Sequence, residues 1–140
     1  MITNPQRNRL AKFLYGGTTD ANLSPTYFYI GLSTNELTES GVITGEVKGG
    51  GYKRVSIRNN TTTFSVPTAD APGTVHNKIS VEWPESTESW GVVKTVFITY
   101  SDTATEALYC IPVNRDVPAY SIIYFKGDSD AGDLNFNINN

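Results

Sequence analysis

From Tyr27 onward, apolar residues recur at every second position in short runs, and Gly, Pro, Asn or Asp separates one run from the next. A period of two is the strand period, and it leaves no stretch for the helices that parallel crossovers need. The chain is therefore expected to be all-β and antiparallel. Phe28, Ile30 and Leu32 share one face of a first strand, Val55 and Ile57 mark a second, and Ile79, Val81 and Trp83 a third. Val92 to Tyr100 is apolar on both faces, which predicts a central strand. Ala107 to Val113, Ser121 to Lys126 and Leu134 to Ile138 follow. In the last of these, Leu134, Phe136 and Ile138 are placed inward, and Asn135, Asn137 and Asn139 outward. About seven or eight such strands predict an antiparallel β-sandwich, jelly-roll or immunoglobulin-like. Val96, Ile98, Ile111, Phe125 and Phe136 are the expected core. Ser33 to Gly51 and Asn59 to Gly73 exceed ordinary loop lengths and are expected to be surface arms or functional loops.

One segment breaks the pattern. Thr3 to Gly17 has the punctuation of a short helix: Thr3 or Asn4 as N-cap, Pro5 at the first helical position and Gly16-Gly17 as the stop. Leu10, Phe13 and Leu14 fall at i, i+3 and i+4 and form one narrow apolar stripe, while Arg7, Arg9 and Lys12 make the rest basic. A helix this short does not persist alone, so it must pack on something. These six residues are the expected contact with an acidic partner, either another copy or a different protein. The alternative is that the apolar stripe caps an open end of the chain's own sandwich. The expected organisation is a helical anchor over residues 1–17 and one sandwich domain over residues 18–140.

Composition narrows the function. Net charge is −3, and only 18% of residues are charged, so no surface suited to tracking nucleic-acid phosphates is expected. No apolar run is long enough for a membrane helix, and the N-terminus lacks a signal-peptide core, which predicts synthesis in the cytoplasm. The single cysteine, Cys110, lies in an apolar run and reads as core filler.

Signatures of chemistry are sparse. There is one histidine, His76, and no Gly-x-Ser-x-Gly elbow, so a catalytic triad is not expected and no catalytic residue is assigned. Gly49-Gly50-Gly51 lacks the Gly-Lys-Ser/Thr of a phosphate loop and precedes a strand, so its glycines are read as a route through positive φ. Asp128, Asp130 and Asp133 form an acidic turn rich in oxygen, but the spacing is not that of a calcium loop; no metal or other cofactor is assigned. Trp83 and Trp90 flank the polar stretch Pro84 to Ser89 and are the candidates for an exposed aromatic contact, which makes carbohydrate binding the rival function.

A set of motifs runs through most of the chain: Phe13-Leu14-Tyr15-Gly16-Gly17, Tyr29 to Thr34, Glu46 to Val55 with its Gly-Gly-Tyr-x-Arg element, Ile79 to Trp83, Trp90-Gly91-Val92-Val93 and Phe97-Ile98. In this order they resemble a family of small virion proteins of tailed bacteriophages that serve as head decoration, head-fibre or tail-fibre components. The chain departs from that pattern in a longer segment between Val92 and Val113 and in its Asn-rich end. The resemblance implies a β-sandwich that joins the virion and does no chemistry. Its expected partners are the major capsid protein or another virion protein, with self-association into a homo-oligomer. Read as complete, 140 residues leave no room for a long shaft, which favours a capsid decoration or the capsid-proximal part of a head fibre. A tail-tip or tail-fibre module that binds carbohydrate receptors is the alternative.

Overall fold

A computed structural model describes residues 1–139. One helix, α1 (Asn4–Leu14), precedes eight strands: β1 (Tyr27–Ser33), β2 (Val55–Arg58), β3 (Thr74–His76), β4 (Val81–Glu82), β5 (Gly91–Thr99), β6 (Tyr109–Val117), β7 (Tyr124–Phe125) and β8 (Asn135–Asn137). Four strands form one antiparallel sheet in the order β2-β1-β5-β6. The other four pair as two antiparallel ribbons, β3 with β8 and β4 with β7. The sandwich expected from the sequence is present, with its second layer divided into these ribbons.

Both faces of the sheet are covered. On one, Ile30, Leu32, Val93, Val96 and Ile98 share a core with Val81, Trp83, Phe125 and Leu134 from the ribbon side. A bulge between Val93 and Thr95 lets Val93 and Val96, three residues apart, face the same way. On the other face, Phe97 and Cys110 pack with Leu37, Ala107 and Ile43. Gly31 pairs directly with Phe97, and a Cβ there would stand 2.2 Å from the ring, so glycine is required for the aromatic side chain to lie across β1. Coverage on both sides explains why β5 reads as apolar throughout.

Several expectations need correction. The stretch from Ser33 to Gly51 is not a free arm: Leu37 and Val47 are buried, and Thr95 Oγ1 ties the stretch to β5 by donating to Asn35 O at 2.7 Å and accepting from Leu37 N at 3.1 Å. In Asn59 to Gly73, Thr63 is buried and Phe64 packs on the core, while the residues from Val66 to Ala71 are exposed. Of the residues expected inward on the last strand, Leu134 is buried and Phe136 partly so, but Ile138 is exposed, because β8 ends at Asn137 after three paired residues. Ile79 is likewise exposed, since β4 begins only at Val81. Val96, Ile98 and Phe125 are buried, with Ile111 and Phe136 packed partly buried against the same core.

Candidate functional site

The glycine-rich and Trp-Gly motifs meet in one internal brace. Gly49, Gly50 and Gly51 have φ of +70°, +59° and +81°, so the loop passes through three consecutive left-handed residues. That path brings Gly50 O to within 3.0 Å of Trp90 Nε1, which donates to it. Tyr52 meets the Trp90 ring edge-on at 5.6 Å, accepts a hydrogen bond from Leu32 N at 3.0 Å and donates to Glu46 at 2.6 Å. Arg54 grips both oxygens of Glu46, each at 2.9 Å, donates to Ser101 O and lies 5.2 Å from the centre of the Phe97 ring. Burial, reinforced by the bond to Glu46, pushes the Tyr52 phenol well above its usual range, so it stays a donor at neutral pH. The polar side chains of the brace, Glu46, Tyr52, Arg54 and Trp90, are thus answered from within the chain.

Trp83 and Trp90 are 1% and 5% exposed, which corrects the expectation of an exposed aromatic contact. The Trp83 ring packs edge-on to Phe125, and its buried Nε1 has no acceptor among the described residues. Trp90 is taken up by the brace. A different aromatic row faces solvent: Tyr120, Ile122 and Tyr124 are all exposed, with Ile123 and Phe125 turned inward between and beyond them. The loop before it is held by buried Ser86, whose Oγ donates to Pro118 O at 2.7 Å and accepts from Ser121 N at 3.0 Å. Alternation in Tyr120 to Phe125 was the signal for this row, though nothing in the residues alone says which set faces out.

The polar candidates have structural uses. His76 sits in β3, where its Nδ1 accepts from Gly132 N at 3.1 Å. Asp128 Oδ1 accepts from Asp130 N and Ala131 N, and Asp133 Oδ2 from Lys126 N, so two of the three acidic groups close their own turn. Among the described residues no three His, Cys, Asp or Glu side chains come together as a metal site. Cys110 is buried.

Helix α1 divides into two halves with opposite surroundings. Its root belongs to the body: Ile2 bridges to Tyr109 at the edge of β6, and buried Thr3 donates through Oγ1 to Ala107 O at 2.7 Å. Gln6 Nε2 donates to Leu23 O at 2.8 Å. Two of the three basic residues are answered within the chain. Arg7 lies 3.8 Å from Glu39, while Arg9 reaches Asp20 at 3.5 Å and also pairs with Glu106. A wholly basic docking face is therefore not what the fold presents. Among the described residues, Lys12 has no carboxylate within ion-pair reach.

Beyond Leu10, which is half-buried, the helix leaves the body. Phe13, Leu14 and Tyr15 are 45%, 59% and 87% exposed, and Gly17, at φ +66°, turns the chain back so that its N–H bonds Phe13 O. The apolar stripe does not cap the sandwich over its length. What remains is a short apolar tip on a firmly held root.

Residues 1–121 match the model of a protein family described as "Podophage GP4 fiber I protein gp80". The chain belongs to this fibre protein family. Among curated proteins none matches it. Membership makes the chain a structural component of the phage particle, which as such meets other virion proteins. The region shared with the gp80 family includes α1, the brace and the whole four-stranded sheet, and it stops before β7 and β8.

Proposed function

We propose that the chain is a non-enzymatic fibre component that attaches to a neighbouring virion protein through the tip of α1. The supporting observation is the contrast along that helix: a root fixed by buried Ile2 and Thr3, and a tip with Phe13, Leu14 and Tyr15 exposed. Adjacent exposed apolar side chains form the kind of patch that marks an interaction surface. The root removes the ordering cost that a flexible peptide would incur on docking. With Arg7 and Arg9 engaged by carboxylates of the same chain, the contact is mainly apolar, flanked by the charge of Lys12.

The body then acts as a rigid block that needs no cofactor and does no chemistry. Synthesis in the host cytoplasm, assembly into a homo-oligomer and a capsid or other virion protein as receiver complete the reading. The fibre description of the family favours a fibre role over capsid decoration. Carbohydrate recognition loses its main support, because the two tryptophans that motivated it are buried.

Deleting the first fifteen residues would not test this, since it also removes buried Ile2 and Thr3. Phe13→Ser with Leu14→Ser is the cleaner test. The double variant should melt with the wild type yet be missing from purified particles when expressed during infection by a phage lacking its own copy. Normal incorporation would rule out the tip as the contact.

A further inference from the structure

Attachment through the tip of α1 leaves a recessed surface elsewhere on the chain without a use. A groove of about 680 Å³ runs along the start of β2, an edge strand of the sheet. One wall is the brace, whose Glu46, Tyr52 and Arg54 are already bonded among themselves. The rest is furnished chiefly by Tyr29, Lys53, Ser56, Glu82, Trp83 and Asp102. We propose that this groove binds a short neutral saccharide, so that the chain recognises a glycan as well as joining the particle.

The lining selects the ligand. Lys53, Glu82 and Asp102 are exposed and enter no ion pair among the described residues. With the Ser56 hydroxyl they offer donors and acceptors side by side within one groove. A polyanion entering it meets Glu82 and Asp102, and a polycation meets Lys53. An uncharged ligand rich in hydroxyls meets neither repulsion, because each hydroxyl both donates and accepts. The half-buried ring of Tyr29 adds the apolar surface on which the C–H face of a sugar ring rests.

Trp83 supplies a second, independent observation. It lines the groove while only 1% exposed, and its Nε1 is the one buried side-chain nitrogen or oxygen without a hydrogen-bond partner among the described residues. A buried donor left unanswered is costly, and a ligand oxygen that reaches it removes the cost. These are not the exposed indoles suggested by the sequence: Trp83 acts from within the wall, as a donor. Tyr29, Ser56 and Glu82 stand on β1, β2 and β4, so strands hold the groove in shape before any ligand arrives. A peptide added along the edge is disfavoured, since β2 has only four residues to pair with it.

The test is an NMR titration of the isotope-labelled whole chain with lactose, maltose, cellobiose and chitobiose in turn, and with a short basic peptide as the competing class. At least one disaccharide at millimolar concentration should move the Trp83 indole N–H and the amides of Lys53 to Ser56. The Trp90 indole, held by Gly50 O, should stay in place. Glu82→Gln and Asp102→Asn, both at exposed positions, should melt with the wild type and each weaken binding about three- to tenfold. Trp83→Phe, followed through the saccharide's own signals, should weaken it about tenfold. Ser56→Trp, which fills the groove from an exposed position, should abolish binding, and it keeps the test decisive if Trp83→Phe fails to fold.

Absence of any shift with all four disaccharides would overturn the proposal, and so would shifts that Ser56→Trp leaves intact. If the basic peptide alone moves the same signals, the groove takes peptide and the saccharide reading fails. Wild-type affinity in a folded Trp83→Phe would also sink it, since the unanswered donor is then no part of the site. None of these outcomes bears on the tip of α1, which particle incorporation tests separately.

Discussion

The brace around Trp90 and the tip of α1 both rest on large apolar or aromatic side chains, and both lie in the region shared with the fibre family. They stand at opposite ends of the scale of burial. Trp90 is 5% exposed and Tyr15 is 87% exposed. In the brace the polar side-chain atoms of Glu46, Tyr52, Arg54 and Trp90 have partners in the chain; at the tip Phe13, Leu14 and Tyr15 stand exposed. The Gly-Gly-Tyr-x-Arg and Trp-Gly motifs therefore hold the fold, whereas Phe13-Leu14-Tyr15-Gly16-Gly17, a motif of the same resemblance, leaves its large side chains exposed.

That comparison breaks most easily at Trp90. Trp90→Ala removes the ring that Tyr52 packs against and leaves Gly50 O without its donor. A loss of about 3 to 5 kcal/mol in chemical denaturation is expected for a ring this buried. A loss under about 1 kcal/mol would show that the motif is a surface feature after all.

Behind the brace, Phe97, which Arg54 covers, packs in the same cluster as Cys110. Burial pushes the Cys110 thiol from the usual 9.0 up to about 11. An unfolded chain gives up this proton first, so the folded state binds more protons within that window and its stability falls as pH rises from 9 toward 11. Up to about 2 to 3 kcal/mol should be lost by wild type beyond any loss seen in Cys110→Ala. Parallel pH profiles for the two proteins would mean that the thiol is less buried than its place beside Phe97 implies.

Gly50→Ala asks whether the left-handed path itself matters. A Cβ there meets Glu88 Cγ and Trp90 Nε1 at 2.7 Å each, on a residue already at φ +59°. A cost of about 2 kcal/mol is expected from thermal melts, smaller than that of losing the ring. If alanine is tolerated, the loop reaches Trp90 by another route.

The sequence made the sandwich legible because strand alternation is local: Phe28, Ile30 and Leu32 declare one face by themselves. β3 was missed for the same reason, since Thr-Val-His has one apolar residue and its strand partner is β8, some sixty residues on in the sequence. The helix was legible from Pro5 and Gly16-Gly17. Its charge was misread because Asp20 and Glu106 approach Arg9 only once the chain is folded. Trp83 and Trp90 were misread for a related reason: a flanking polar turn says nothing about what lies above an indole. Side-chain partners across the fold carry no period and leave no mark in a single sequence.

The smallest expected effect is at the tip, and it divides a single helix. Ile2, beside the root, is 5% exposed and bridged to Tyr109, so Ile2→Ala should cost about 2 kcal/mol as a buried branched side chain is cut back at the edge of β6. Leu14, at the other end, is 59% exposed and has little folded-state packing to lose. Leu14→Ser should therefore change the melting free energy by no more than about 0.5 kcal/mol, the range for a surface substitution. Serine at the last helical position carries only a small propensity cost, and Gly17 still supplies the turn. Both variants should be melted well below any concentration at which copies associate, so that only the folding of one chain is read. A loss of 2 kcal/mol or more at Leu14 would place that side chain in its own protein's core and reduce the contrast between brace and tip to a difference of degree.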